Sequence, residues 1–311
     1  MMPQSQSPIL VTGAHRTGTT WVGKMLAAGA QTAYISEPLN VLHRPGVFRA
    51  AVPYWYFYLC PETEAEALQA FDDLLAYRYH LADEIRSLRS RKDFLRMGRD
   101  CSIFLRARFL RQRAVLKDPF AVFSIPWFAE KLGAQVVVTV RHPAAFASSL
   151  KRLNWPFDFG DLLAQPCLMR DHLEPYRHDM ERLPADDIVA QASLLWRMIY
   201  RFVADLMPAR PDLRVVRHED LSINPVAGFR DLYAFLGLKF TPRVQRLIET
   251  ASSADNPKEL SRSRVHAIRL DSRANLYNWR KRLTPEEVTR VRKMTEDVSH
   301  LYYTDQEWGS E

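Results

Sequence analysis

Cysteine is scarce in this chain: Cys60, Cys101 and Cys167 are the only three in 311 residues, an odd number at wide spacing. That excludes a disulfide framework, and with no metal-ligand pattern around them the thiols are expected to be reduced and no metal is expected. His172 and His178 also lack partners at ligand spacing and read as helical surface residues. Long apolar runs are missing too. None approaches the roughly 20 residues of a membrane span, and Met1–Ser7 has neither the basic nor the apolar region of a signal peptide, so a cytoplasmic protein is expected. Internal repeats and low-complexity tracts are absent.

What is present is a chain with 47% apolar residues, enough to bury a large core, and one domain over 1–311 is expected rather than two separate folds. Lysine and arginine outnumber aspartate and glutamate by 43 to 36, a net charge of +7. This balance suits an anionic cofactor and an anionic acceptor or membrane surface. Nucleic acid is not expected, because the arginines are spread through helical stretches such as Arg86–Arg113, where a dispersed positive face is solvated.

Strand candidates at Ile9–Thr12, Ala33–Ile35, Ala114–Leu116, Val136–Val140 and Leu213–Val216 alternate with helical spacing. The alternation predicts an α/β fold, a P-loop-like parallel sheet flanked by helices, with helical insertions. The insertions cover 40–113, with a helical pattern at Glu62–Tyr77 and the aromatic run Tyr54-Trp55-Tyr56-Phe57-Tyr58, and 154–184, with Trp155, Phe157 and Phe159. Insertions at the ligand edge of such a sheet shape a second substrate's pocket. The aromatic run either stacks on sugar rings, meets a lipid, or packs between helices.

The first strand runs into Gly13-Ala14-His15-Arg16-Thr17-Gly18-Thr19-Thr20-Trp21. Two glycines five residues apart, opening a helix, turn backbone N–H groups and the positive helix end toward one anion. The triphosphate-binding version places a lysine after the second glycine; here Thr19 stands there, which disfavours triphosphate chemistry. Arg16 supplies a cation instead. Trp21 offers a flat face to a purine, or belongs to the core of the first helix, with Thr19 and Thr20 capping it. At the fourth strand's end, Arg141 and, eight residues on, Ser149 can reach a second anion over the same sheet edge.

Arg16-Thr17-Gly18-Thr19-Thr20-Trp21 resembles the [K/R]-x-G-T-T-W loop of sulfotransferases that use 3′-phosphoadenosine 5′-phosphosulfate (PAPS). Arg141-His142-Pro143 through Ser149 is similar to the family's 3′-phosphate signature. Val215–Pro225 with Phe235-Leu236-Gly237-Leu238 resembles a scaffold stretch of the family, and Trp279–Glu286 extends the likeness. The resemblance implies PAPS as donor, adenosine 3′,5′-bisphosphate as product, no metal, and a hydroxyl-bearing glycan, glycolipid or related acceptor. It implies that Arg16, Thr17, Gly18, Thr19, Thr20 and Trp21 bind the donor's 5′ end and Arg141 and Ser149 its 3′-phosphate, with Arg16 also aiding catalysis. Magnesium has no acidic residue waiting at the fourth strand's end, where Arg141 stands.

An acceptor hydroxyl needs a base. Glu37, after the second strand, is the first choice and is consistent with the carboxylate base of carbohydrate and bacterial members; alternatively it holds a cation or caps a helix. Lys117-Asp118-Pro119 corresponds to the family's K-T-H-L-P turn without its histidine. Lys117 is then expected at the transferring group or acceptor, with Asp118 as a helix cap and His15 as the fallback base. The family's C-terminal cofactor loop and helix correspond to 253–311. There Arg264, Arg269, Arg280, Lys281 and Arg282 are basic, and Arg273 and Trp279 are candidates for the cofactor or parts of an exposed loop. Alternative readings are a P-loop kinase of a small molecule and a non-catalytic binder of anionic polymers.

Overall fold

The computed structural model describes residues 7–259 and 268–309. Five strands, β1 (Ile9–Thr12), β2 (Thr32–Ser36), β3 (Arg113–Lys117), β4 (Gln135–Val140) and β5 (Leu213–Arg217), form one sheet in the order β2-β3-β1-β4-β5. Every pairing is parallel: Ile9 lies against Val115 on one side and Gln135 on the other, Thr32 against Arg113, and Val136 against Leu213. The five strand candidates are therefore all strands, each extended by one or two residues at most. Continuous apolar runs suit them because both faces of a parallel sheet are covered.

The period of two sorts β1 onto two cores. Leu10 packs with Ile35, Leu116, Val136 and Val138. Ile9 and Val11 turn the other way, onto Trp21, Val22, Met25, Phe229 and Leu232. Burying side chains of this size contributes roughly 1.5–3 kcal/mol each, so the central strand is pinned from both faces.

Parallel pairing brings all strand C-termini to one edge, and the connections around the central β1 depart to opposite sides, the place where open α/β sheets bind ligands. Gly13, Glu37, Asp118, Arg141 and His218 each follow a strand directly and so arrive there together.

The segment between β2 and β3 contains the helices Ala65–Leu75, Leu81–Ser87 and Arg91–Phe109. It meets the second insertion through Gln165, whose Oε1 accepts from Tyr58 N at 2.9 Å while its Nε2 donates to Asp161 O at 2.9 Å. Trp55 N donates to Asp161 Oδ2 at 3.3 Å. The aromatic run is split in role: Tyr56 is fully buried, whereas Trp55 faces a cavity.

All three cysteines are free thiols. The fold nevertheless brings Cys60, Cys167 and Glu62 within 4.8 Å of one another, a proximity hidden by their sequence spacing. His172 departs from a surface role: its Nε2 lies 3.1 Å from Tyr58 OH and its ring packs on Phe202, so burial lowers its pKa. No described helix is long and apolar enough to cross a membrane.

Candidate active site

β1 ends in a sharp turn that only glycine permits. Gly13 has φ 130°, and a Cβ there would meet Thr139 O at 2.3 Å; Gly18 has φ 101°, and a Cβ would lie 2.7 Å from His218 Nδ1. The loop between them is tied to β4. Thr17 Oγ1 donates to Ala14 O at 2.5 Å and lies 2.8 Å from Thr139 Oγ1, while Tyr200 OH donates to Thr139 O at 2.8 Å and accepts from Ala14 N at 3.2 Å. The Thr17 hydroxyl is thus spent on the loop itself rather than offered to a ligand.

Helix α1 (Thr19–Leu26) starts from Gly18 without a side-chain cap and without an acidic residue in its first turn. Its leading N–H groups have no intrahelical acceptor and carry the positive end of the helix dipole. Thr19 and Thr20 therefore do not cap it. Trp21 is a core residue of the first helix, packed edge-on against Phe229 with ring centroids 5.2 Å apart, and it also lines the cavity above the sheet edge. Its buried Nε1 has no partner among the described residues.

Arginines converge beside this loop. Arg16 Nε donates to Ser149 Oγ at 3.3 Å, and Arg141 Nη1 donates to Arg16 O at 3.3 Å. The first loop and the β4 end are thereby one site. Arg152 and Arg282 share Glu259, at 2.9 and 2.6 Å. Burial, then Arg141 and Arg152, pushes Arg16 down to about 10; burial, with Arg282 and Arg152 adding to it against Glu219, lowers Arg141. Cations that destabilise one another around an orphaned Arg141 Nε form a seat for an anion.

Beside the cradle, Glu37 sits at φ 53°, its N donating to Lys117 O at 2.7 Å. Its carboxylate holds a cation: Oε1 accepts from Lys117 Nζ and Oε2 from Asn40 Nδ2, the latter at 2.6 Å. Asp118 caps the turn Pro119–Ser124, accepting from Phe120 N at 3.0 Å, and also accepts from Leu39 N at 2.6 Å; burial first and Glu37 second push it up to about 7. His15 lies among Phe120, Phe146 and Phe157 with Nδ1 2.7 Å from Tyr56 OH, and burial, reinforced by Arg16, holds it down to about 4. It is neutral at pH 7 and a weak proton acceptor.

A cavity of about 760 Å³ joins these groups, lined by His15, Arg16, Gly18, Thr19, Thr20, Trp21, Glu37 and Arg141. A second of about 540 Å³ shares Thr20, Glu37, Asn40 and Leu42 with it and is walled by Lys117, Lys24, Arg44, Arg96 and Arg99. Several lining residues were not legible as site residues: His218, Asn40, Trp155, Asp161, Ser272 and Asn275. The Arg141 neighbour Arg152 was also missed. His218 and Arg152 carried a signal, standing at the end of β5 and one turn past Ser149 respectively, and Trp155 and Asp161 lie in the second insertion, which was expected to shape a pocket.

Four expected cofactor residues do not line the cavity: Thr17 and Ser149, both buried, and Arg273 and Trp279. Arg273 donates from Nε and Nη2 to Ile223 O at 3.1 and 2.7 Å, which fixes the chain against its neighbour. Trp279 is buried and stacked on His142, ring centroids 5.1 Å apart and 8° from parallel, so no nucleotide face remains open. Arg264 lies outside the described residues.

Among proteins of known kind, 84 residues of this chain are 34% identical to mouse carbohydrate sulfotransferase 5, covering 26% of this chain and 20% of that one. The match thus spans about a fifth of that relative's length. Over most of its length the chain is similar to the sulfotransferase domain from the curacin biosynthetic pathway, with 15% identity, 96% and 98% of the two chains covered and a TM-score of 0.49. The sulfotransferase STF9 from Mycobacterium avium has 15% identity, 97% and 78% covered and a TM-score of 0.47. Mouse sulfotransferase SULT7A1 complexed with PAP has 10% identity, 97% and 86% covered and a TM-score of 0.45. Residues 8–242, from the start of β1 through the cradle, the Arg141 seat and the strand β5, match the sulfotransferase family, to which this chain belongs.

Proposed function

We propose that this protein moves a sulfuryl group from PAPS to a hydroxyl of a glycan, glycolipid or related acceptor by in-line displacement, with 1–311 acting as one domain. The observation that carries the reading is the contact of Arg16 with both Ser149 and Arg141, because it joins the loop proposed for the donor's 5′ end to the residues proposed for its 3′-phosphate. A nucleotide phosphorylated at both ends suits that pair. Orphaned Arg141 Nε and Trp21 Nε1 fit the same ligand.

When bound, PAPS supplies the sulfuryl group and a phosphate leaving group. Arg16 and the first-turn N–H groups of α1 face the leaving oxygens and neutralise the charge that develops there, each such donor contributing about 3 kcal/mol. Arg141, Ser149, Arg152 and Arg282 hold the 3′-phosphate, and Trp21 flanks the base. Glu37 removes the acceptor proton, with Lys117 and Asn40 fixing its two oxygens in place. His15, held down to about 4, is the weaker candidate. Trp55, Trp155 and Asp161 on the cavity wall offer the flat faces and acceptors that a sugar uses. The partial likeness to a carbohydrate sulfotransferase agrees with this acceptor class.

The test is transfer of label from [35S]PAPS and from γ-labelled ATP with magnesium to a panel of saccharides, glycolipids, phenols and alcohols. Labelled sulfate on a sugar hydroxyl is expected. Phosphoryl transfer from ATP, or binding of anionic polymers without saturable binding of either nucleotide, contradicts the assignment.

A further inference from the structure

The helix Arg91–Phe109 has two apolar faces. At about 100° per residue, Met97, Phe104 and Ala107 share one face and are buried. Phe94, Leu95, Leu105 and Phe109 fall within a different arc of about 100°. They are 60, 72, 64 and 86% exposed, so a stripe with one pair of large apolar side chains near each end of the helix, and Gly98 and Ser102 between the pairs, faces water. Among the described residues, nothing in the buried core packs on that stripe, and exposed apolar surface of this kind marks a contact with something else.

The charge around it says with what. Residues 91–111 carry Arg91, Lys92, Arg96, Arg99, Arg106, Arg108 and Arg111 against Asp93 and Asp100. Both acids are engaged, Asp93 with Arg44 and Arg96 at 3.5 and 3.7 Å and Asp100 with Arg99 at 2.7 Å. Among the described residues Lys92, Arg106 and Arg108, which flank the stripe on both sides, make no ion pair. Two copies of such a face repel each other, whereas an anionic layer that accepts apolar side chains satisfies both features at once.

The geometry points to a membrane-docking face: the helix lies flat on an anionic phospholipid surface, with Phe94, Leu95, Leu105 and Phe109 in the acyl boundary and Lys92, Arg106 and Arg108 among the headgroups. The remaining edge of the helix gives Arg96, Arg99 and Ile103 to the 540 Å³ cavity that shares Glu37 with the main one. Docking therefore puts an entrance to the proposed acceptor site beside the lipid. That consequence rests on the proposed function; the docking itself does not.

The test is co-sedimentation of the full chain with vesicles of phosphatidylcholine alone and of phosphatidylcholine mixed with phosphatidylglycerol. Binding to the anionic vesicles, falling with added salt and at least about tenfold weaker on neutral ones, is expected. The double variant Leu105→Glu/Phe109→Glu should lose about tenfold or more of it, with an unchanged melting temperature and unchanged affinity for adenosine 3′,5′-bisphosphate. Absence of wild-type binding to either vesicle overturns the inference, as does equal binding by the double variant. A wild-type dimer by light scattering that the double variant splits also overturns it, making the face a protein interface.

Discussion

Glu37 is held in the left-handed region, at φ 53°, by its backbone bond to Lys117 O and by two side-chain partners. A non-glycine residue there costs of order 1 kcal/mol or more, and the return is a carboxylate aimed into the space shared by two cavities. Glu37→Gln keeps the volume and an acceptor for Asn40 but removes the proton acceptor. Turnover should fall by about a hundredfold or more, while affinity for adenosine 3′,5′-bisphosphate stays near that of the wild type by calorimetry. An active variant moves the base elsewhere. At this scale the sequence pointed to Arg16, Gly18, Arg141 and Ser149 because each sits at a fixed offset from a strand end, and the structure brings them close together. It left Arg273 and Trp279 open between the cofactor and an exposed loop, because basic and aromatic composition says nothing about which way a side chain turns; Arg273 is exposed and Trp279 is buried.

The strand-to-loop junctions carry the site, and Asp118 shows how. Its carboxyl joins the β3 end to the stretch after Glu37 by accepting from Leu39 N and Phe120 N, and it is fully buried. Asp118→Ala leaves two amide donors without acceptors, at about 1–3 kcal/mol each, and frees the turn that fixes Glu37. A lowered denaturation midpoint is expected, with kcat falling more than bisphosphate affinity. Loss of affinity with kcat preserved contradicts a role at the base. The β-branched runs made all five strands legible, since a doubly covered strand needs nothing else to declare it. The joining of 54–60 to 161–167 through Gln165 was not, because a contact over a hundred residues leaves no local pattern.

Across the whole molecule, burial holds imidazoles neutral. His142 and His218 are pushed down to about 3 and His15 to about 4, and burial also lowers His43 and His172. Unfolded, each takes up a proton below its ordinary 6.5; folded, each does so only at lower pH. The unfolded chain binds more protons in that window, so these groups make stability rise with pH and lose it as pH falls from 6.5. Buried Asp118, Asp161 and Glu219, all raised by burial, act oppositely because they keep protons when folded. Five imidazoles outweigh three carboxyls. Chemical denaturation should give a stability that increases between about pH 4.5 and 6.5, each net proton contributing about 1.4 kcal/mol per pH unit; a flat or falling profile contradicts the buried neutral state.

The account depends on Arg16 and Arg141 gripping opposite ends of one nucleotide. Calorimetric titration of the wild type and Arg141→Ala with adenosine 3′,5′-bisphosphate and with AMP tests this most directly. The wild type should prefer the bisphosphate by at least about tenfold, and Arg141→Ala should erase that preference while leaving AMP affinity nearly unchanged. Equal wild-type affinity for the two nucleotides, or equal weakening of both by the substitution, would contradict it.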